Sequence, residues 1–529
     1  MKEFLSLIGE LMNQWQLYGK YFTDTMEQMK ESYNKLSNQE KKKSLSILDE
    51  ILQEDVNSYF LIMSMLLEKL KEEDIVFFIE DMLNSGRVSV WERIRVMYQL
   101  KGILFSSVII KNEWKEIQNQ KVIYEKILKD ILIGLPVDYS YIPWKEREKK
   151  IVIVVNQILE LSHAPTRKLI SIYKYFKELG YEVRIYVCFY SGEADLKEHF
   201  WYRACGYYNY IEVTTPFTFD RGEEEKIIGY NFLLQSEDYM QGIKKTMDLI
   251  YEERPEFVFE LGDRTILAGL CHSFTTVVTM GCTKQIPITN APVIARYFEY
   301  SKEEEKLYQQ CMEDTQIIID VKHVESDFLR SDKSETKSDK RRKLEIKEEQ
   351  FVLIIAGNRL GSELTESFLE ILSKILEQSK NLVVMFIGNL QAGLIEKITN
   401  SFCIEQIHFL GFRADFQDVI SAGDLFLNPP RQGGGTGAAY AGVEGIPVVT
   451  LDHCDVAATA GEEFICQSIE EMPSLVWKYY SDKEFYQKQK EIIKNRIQKL
   501  LETDGLENFR KLCDFIQQIT LEKEKENET

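Results

Sequence analysis

The stretch Asn428–Thr450, Asn-Pro-Pro-Arg-Gln-Gly-Gly-Gly-Thr-Gly-Ala-Ala-Tyr-Ala-Gly-Val-Glu-Gly-Ile-Pro-Val-Val-Thr, constrains this chain more than any other. It follows a short apolar run, Asp424-Leu-Phe-Leu-Asn, and continues into Pro447-Val-Val-Thr-Leu, with a polar glycine loop at Gly433–Gly437 and a helix-compatible Ala438–Glu444 between them. Strand, glycine loop, helix and strand make a βαβ unit. Gly433, Gly434, Gly435 and Gly437 carry no Cβ, so the backbone can approach an anion closely. The free N–H groups of the following helix bring partial positive charge to the same place. A phosphate fits such a loop, and so does a turn with no ligand. The pattern is neither Gly-x-x-x-x-Gly-Lys-Ser/Thr nor a clean Gly-x-Gly-x-x-Gly after a first strand, so ATPase and dinucleotide readings lose their usual support.

The 529 residues suffice for two or three domains with their own cores. A formal charge of −20 argues against a generic nucleic-acid or anionic-membrane binder, which draws on a basic surface. Met1-Lys-Glu-Phe-Leu-Ser-Leu-Ile-Gly-Glu is too acidic and too short in its apolar run for a signal peptide, and no window has the length of a spanning helix. The expectation is a cytoplasmic protein without a transmembrane segment. Nine scattered cysteines without Cys-x-x-Cys indicate buried thiols and no disulfide framework. Six histidines without ligand spacing, and no Asp-x-Asp, leave a metal site or other cofactor unsupported.

Up to about Ile142 the pattern is helical, with apolar residues three and four apart in Phe4–Tyr21, Leu45–Leu52, Tyr59–Leu70, Ile75–Leu83, Val88–Leu100 and Trp114–Leu132. A structural cap and a platform for a protein acceptor are both open for this all-α segment. From Ile151-Val-Ile-Val-Val the pattern alternates. Helices are expected at Arg167–Leu179, Glu223–Leu234 and Tyr239–Glu253. Strands are expected at Tyr181–Phe189, Phe257–Leu261, Val277–Met280 and Thr315–Val321. Ser331–Lys347 is charged and reads as a linker whose basic cluster is a solvated turn. A second series follows, with strands at Phe351–Ala356, Leu382–Ile387 and Ile407–Leu410, a helix at Ser367–Gln378, then the Asp424 strand and the glycine loop. The chain turns helical again through Phe485–Leu501 and Leu512–Leu521, and the polar tail Glu522–Thr529 is expected to be disordered. The fold class is α/β with doubly wound domains, whose ligands bind beyond the carboxyl ends of the strands. The division is an all-α module (1–145), a Rossmann-like acceptor-side domain (146–330), a linker (331–347), a Rossmann-like donor domain (348–505) and a C-terminal helix with its tail (506–529).

Phe409-Leu-Gly-Phe-Arg-Ala-Asp-Phe, Ile420-Ser-Ala-Gly-Asp-Leu-Phe-Leu-Asn-Pro, the glycine loop and Gly445-Ile-Pro-Val-Val-Thr stand in the order of the donor half of GT-B glycosyltransferases. Asn428, Pro429, Gly433 and Gly437 form an Asn-Pro-x-x-x-Gly-x-x-x-Gly pattern. It resembles bacterial cytoplasmic glycosyltransferases that modify adhesins and, more distantly, the catalytic region of O-GlcNAc transferase. Glu260-Leu-Gly-Asp-Arg-Thr-Ile-Leu-Ala-Gly-Leu and Thr279-Met-Gly-Cys-Thr resemble a first-domain segment of the same enzymes. The resemblance covers about Ile151–Cys466 and departs in three places. Cys282 stands where those relatives carry the histidine of Gly-His-Pro. Asn358-Arg-Leu-Gly-Ser-Glu lacks the lysine they use for the diphosphate. Tyr440 replaces the glutamate of retaining enzymes, which favours inversion, though Glu444 nearby keeps retention open.

The resemblance implies a UDP-sugar donor, a hexose or N-acetylhexosamine, and a protein acceptor. Without a metal, backbone N–H groups, a helix dipole and a cation must stabilise the leaving diphosphate. The donor-side candidates are Arg359, Arg431, Asn428, Gly433, Gly434, Gly435, Thr436, Gly437 and Asp455, the last opening a second helix. Phe412 and Arg413 stand where GT-B enzymes receive the base. Candidates for the general base are His163, Asp263 and His272, a histidine being suited to neutral pH. Two alternatives stay open: a GT-B enzyme acting on a cell-wall or capsular glycan, and a non-catalytic GT-B-like partner subunit. Both a homo- and a hetero-oligomer are compatible with the sequence.

Overall fold

A computed structural model of the chain describes residues 1–14, 20–106, 110–135, 138–158, 163–189, 215–219, 223–231, 239–323, 329, 335–452 and 454–528. Helices α1 (Lys2–Gln14), α2 (Lys20–Asn34), α3 (Asn38–Leu52), α4 (Val56–Leu70), α5 (Glu73–Asn84), α6 (Val90–Ser106) and α7 (Glu113–Gly134) build the N-terminal module. The expected Phe4–Tyr21 helix thus ends at Gln14, and its continuation at 15–19 lies outside the described residues. At the start of α3, Ser37 and Glu40 cap each other's backbone N–H, satisfying donors that a helix end leaves open.

The first α/β domain runs through β1 (Glu148–Val155), α8 (Ala164–Glu178), β2 (Glu182–Phe189), β3 (Thr215–Phe219), β4 (Glu223–Asn231), α9 (Tyr239–Glu253) and β5 (Pro255–Leu261). It continues with α10 (Ile266–Cys271), β6 (Val277–Met280), β7 (Val293–Arg296), α11 (Lys302–Cys311) and β8 (Ile317–Asp320). The strand order is β3-β4-β2-β1-β5-β6-β7-β8, with only β3 antiparallel to its neighbour. The order reverses between β1 and β5, so a crevice opens where Val155 and Leu261 end. The helix expected over Glu223–Leu234 is instead strand β4, as far as it is described. Ile227 and Ile228 pair with Ile185 and Tyr186 of β2, and this pairing overrides the helical preference of the preceding glutamates. β7 and α11 were not expected from the sequence.

Alternate residues of β1 face different cores. Ile151, Ile153 and Val155 pack with α8, whereas Val152 and Val154 belong to one continuous core with the N-terminal helices. The module is therefore fused to one face of the first sheet. The two approach closely at Gly269 of α10, where a Cβ would run into the Tyr124 hydroxyl and stand 2.8 Å from Leu128 Cδ1 of α7.

The second domain begins with α12 (Lys337–Lys343), followed by β9 (Phe351–Ala356), α13 (Leu360–Glu363), α14 (Glu366–Leu376), β10 (Leu382–Ile387), α15 (Ala392–Ser401), β11 (Ile407–Gly411) and α16 (Phe416–Ile420). Then come β12 (Leu425–Leu427), α17 (Gly435–Val443), β13 (Val448–Leu451), α18 (Asp455–Ala460) and β14 (Ile465–Cys466). All strands are parallel in the order β11-β10-β9-β12-β13-β14, reversing between β9 and β12. Where a solvated basic turn was expected, α12 docks on this domain. Lys340 and Arg341 are buried, Arg341 and Lys337 hold the Asp424 carboxylate, and Lys340 pairs with Asp418 at 3.0 Å. The linker residues 331–334 lie outside the described residues.

Helices α19 (Met472–Ser481) and α20 (Lys483–Leu501) cover the second domain, with Ile493 and Ile497 packed on Gly442. Helix α21 (Gly505–Glu528) crosses back, placing Phe509, Leu512 and Ile516 in the first domain's core beside Phe176 and Phe257. The polar tail expected to be disordered continues this helix to Glu528, and Glu524 accepts the Trp144 N–H at 2.7 Å. Of the described cysteines, Cys282 and Cys403 have solvent contact and the rest are buried; all are free. Among the described residues no helix is long and apolar enough to cross a membrane.

Filling the α7–α10 contact should loosen the module. Gly269→Val is expected to cost about 1–3 kcal/mol, read as a lower urea midpoint by tryptophan fluorescence. Gly9→Ala, with nothing within 4 Å of the added methyl, should not lower it.

Candidate functional site

The carboxyl ends of the two sheets face a common cleft of about 1110 Å³. Its first-domain wall comes from the ends of β1 and β5, with Asn156, His163, Lys168 and Asp263. Its second-domain wall comes from the turns after β9, β11 and β12, with Arg359, Phe412, Arg413, Arg431, Gly433, Gly434, Gly435, Thr436, Gly437 and Asp455. Of the candidate residues named from the sequence, His272, Asn428 and Glu444 do not line it. His272 caps the C-terminus of α10, half-buried, with a pKa lowered by partial burial and then by Lys523. Asn428 lies beneath the cleft, donating to Thr450 Oγ1 at 3.1 Å and accepting from Arg431 Nε at 2.7 Å.

Helix α17 starts at Gly435, earlier than expected, so only Gly433 and Gly434 are loop. Gly434 has φ +106°, a left-handed conformation suited to glycine, and no side chain caps the helix behind it. A Cβ on Gly435 would stand 2.9 Å from Thr459 Oγ1 and 3.0 Å from the Asp455 carbonyl, so α17 and α18 start almost in contact. The Asp455 N–H closes the junction by donating to the Gln432 carbonyl at 2.8 Å. Two helix N-termini thus converge on one edge of the cleft, where their dipoles add.

Behind the loop lies a carboxylate that the sequence reading did not assign. Glu363, 1% exposed, accepts from Arg431 Nη1 at 2.8 Å and from Arg359 Nε at 3.3 Å. Burial alone would raise its pKa, but Arg431 and then Arg359 outweigh it and hold it below the usual range. Arg431 is itself buried, and a Cβ on Gly434 would come within 2.8 Å of its Nη2. The loop glycines therefore make room for an internal arginine as well as for a ligand. Arg359 reaches the cleft, 30% exposed, its guanidinium over the Phe105 ring at 4.4 Å. Arg413, also in the cleft, is held by Asp415 at 2.6 and 2.7 Å, and Phe412 beside it is 47% exposed.

On the opposite wall His163 is the N-cap of α8, its Nδ1 3.0 Å from Thr166 Oγ1. Burial, then Arg167 and Arg359, lower its pKa to about 4, so the imidazole is neutral at pH 7. Asp263 behaves differently. Burial opposes its ionisation, but Arg264 and Lys101 hold its pKa at about 2, with Arg264 Nε at 2.7 Å and Lys101 in direct contact. Asp455 is raised to about 6 by burial, a shift moderated by the Lys284 N–H at 2.9 Å and by Lys168 and Arg359. The Lys284 bond ties the two domains across the cleft. Cys282 serves through its carbonyl, which accepts from Tyr297 Oη at 2.7 Å and Lys168 Nζ at 3.4 Å, while Lys168 covers the Tyr297 ring.

No protein-family model and no curated protein matches this sequence. Solved structures do. An O-GlcNAc transferase mutant from Thermobaculum terrenum superposes with a TM-score of 0.52 at 12% identity, covering 98% of this chain and 98% of that one. A glycosyltransferase from Rickettsia africae gives 0.50 at 10% identity, covering 70% of this chain and 99% of its own. These likenesses show the fold, which is GT-B: two Rossmann-like domains facing each other, preceded by a helical module.

Replacing Glu363 by glutamine leaves two guanidinium groups around a neutral amide and should cost about 3 kcal/mol at pH 7. Because the folded-state pKa is lowered, the carboxylate's contribution is complete above the unfolded value of about 4.3 and is lost as pH falls through the folded one. The gap between wild type and Glu363→Gln in urea titrations should therefore stay constant from pH 8 to about 5 and close only in stronger acid.

Proposed function

We propose that this protein is a UDP-sugar-dependent glycosyltransferase that moves a hexose or N-acetylhexosamine to a protein side chain, with inversion and without a metal ion. The observation that carries the reading is the edge where α17 and α18 begin together beside Arg359. The N–H groups of α17, which no side chain caps, and a planar cation make a place for the charge of a departing diphosphate, with the start of α18, capped by Cys454, beside them.

The transfer is written as a single displacement. A lone pair of the acceptor oxygen or nitrogen forms a bond to the anomeric carbon while the carbon–oxygen bond to the diphosphate breaks. The diphosphate keeps that electron pair, and the acceptor's proton passes to a base. His163 is the candidate for this last role because it lines the cleft and is unprotonated at pH 7, although a pKa of about 4 makes it a weaker base than the ordinary imidazole that the sequence suggested. Asp263, held ionised by two cations, suits orientation of a substrate hydroxyl better than proton abstraction. Arg359 and the Gly433–Thr436 backbone take the diphosphate, Phe412 and Arg413 border the base, and Arg431, Asn428 and Glu363 support them from below. Glu444 supports the inverting reading by its position: it caps the far end of α17 and does not line the cleft. The protein acceptor and the cytoplasmic setting belong to the same proposal and rest on the sequence resemblance.

Calorimetric titration with UDP in EDTA should show saturable binding to the wild type. Gly435→Asp, which adds a carboxylate against Thr459 and Asp455, should lose it. Absence of wild-type binding would sink the donor assignment. The pH dependence gives a second check. Asp455 is charged above about pH 6 and neutral below it, so lowering pH from 7.5 to 5.5 removes a negative charge beside the bound diphosphate. UDP-glucose, a diester with no ionisation of its own in that range, should bind more tightly at the lower pH, and Asp455→Asn should flatten the profile.

A further inference from the structure

Helix α6 reaches both halves of the cleft from one face. Tyr98, Lys101 and Phe105 follow each other at spacings of three and four residues, which align on one side of a helix. The Tyr98 hydroxyl donates to the Arg264 carbonyl and Lys101 pairs with Asp263, both just beyond β5 in the first domain. One turn further on, Phe105 touches the second domain instead. Its ring faces the Arg359 guanidinium at 4.4 Å, and its Cζ lies 3.2 Å from where a Cβ would stand on Gly433.

Arg359 is consequently bounded on two sides. The Glu363 carboxylate holds Nη2 at 3.2 Å, and the guanidinium carbon stands over the face of the Phe105 ring at 4.4 Å, so the side chain is held from two directions. A long arginine side chain left unbounded would give up rotamer freedom on binding an anion, and this arrangement removes much of that loss beforehand. A further contact between the module and this domain, Lys30 with Glu366 at 3.8 Å, is open to solvent and contributes little.

We propose that Phe105 is a positioning residue of the donor site. It holds Arg359 over the Gly433–Gly435 edge, so the N-terminal helical module completes the nucleotide-sugar site as well as covering the first domain. The inference rests on the donor reading given above. It assigns to α6 a task that neither a structural cap nor an acceptor platform would have.

The test is calorimetric titration of the full-length protein with UDP. Phe105→Ala should bind about five- to tenfold more weakly, the scale of a partly desolvated cation–aromatic contact. Phe105→Tyr should restore binding. Phe105→Leu, which fills similar space without a π face, should not, and this separates orientation of Arg359 from packing if the alanine variant folds poorly. In an Arg359→Met background, the Phe105→Leu substitution should have no further effect. Wild-type affinity in Phe105→Leu, or the same loss in both backgrounds, overturns the assignment and leaves the donor reading standing. A wild type that binds no UDP overturns the donor reading and this assignment with it.

Discussion

A carboxylate with almost no water around it, Glu363, organises the donor half of the cleft. Burying one charge is costly, and here two guanidinium groups offset that cost while the carboxylate in turn makes their burial tolerable. The two arginines are then divided in use. Arg431 is consumed internally, bonded also to Asn428 and filling the space beneath Gly434. Arg359 keeps a face toward the cleft. The cluster as a whole carries one net positive charge, delivered at the place where two helices begin. A chain with a formal charge of −20 thus gathers two arginines at this edge with Glu363 and Asp455 as their counter-charges, a local pairing that its overall composition does not reveal.

The first-domain wall is built on a similar economy of charge. Arg264 and Lys101 both bind Asp263, and Arg264 continues to Gln120 and through it to Glu80, so a chain of buried polar groups runs from the cleft into the helical module. Glu80, its pKa raised to about 8 by burial and by Glu116, sits at the far end of this chain, largely neutral at pH 7. Apolar packing fuses the module to the sheet, and this polar chain fixes its register. Together they hold α6 where its side chains can reach the second domain.

How much of this was legible in the sequence depended on the distance between partners. Strands buried on both faces wrote themselves as apolar runs, so β1, β5, β9, β10, β12 and β13 could be read directly. The glycine loop announced its helix, although that helix takes up two of the loop's own glycines. β4 was misread because its glutamates favour a helix and only β2 makes it a strand. β7, Val-Ile-Ala-Arg directly after Pro292, went unread because two apolar β-branched residues between a proline and an arginine do not make an apolar run. The basic α12 looked solvated because Asp424 and Asp418, which bury its lysine and arginine, lie about eighty positions away. Arg359 and Glu363, one helical turn apart, offered the one local hint of the buried clamp. Tyr98, Lys101 and Phe105 offered none, since an apolar and basic helix face reads first as core.

The return of α21 to the first domain means that the chain passes between the two α/β domains twice, once after β8 and once after α20. Two bodies joined at a single point can swing and swivel freely. Joined at two, they retain mainly rotation about the line through both tethers, and other relative movements strain one of them. Such a hinge makes the width of the cleft close to a single coordinate, and the Lys284–Asp455 bond at 2.9 Å already pins the two walls together along it. Helix α21, anchored in the first domain by Phe509, Leu512 and Ile516, is mechanically the second pin of this hinge.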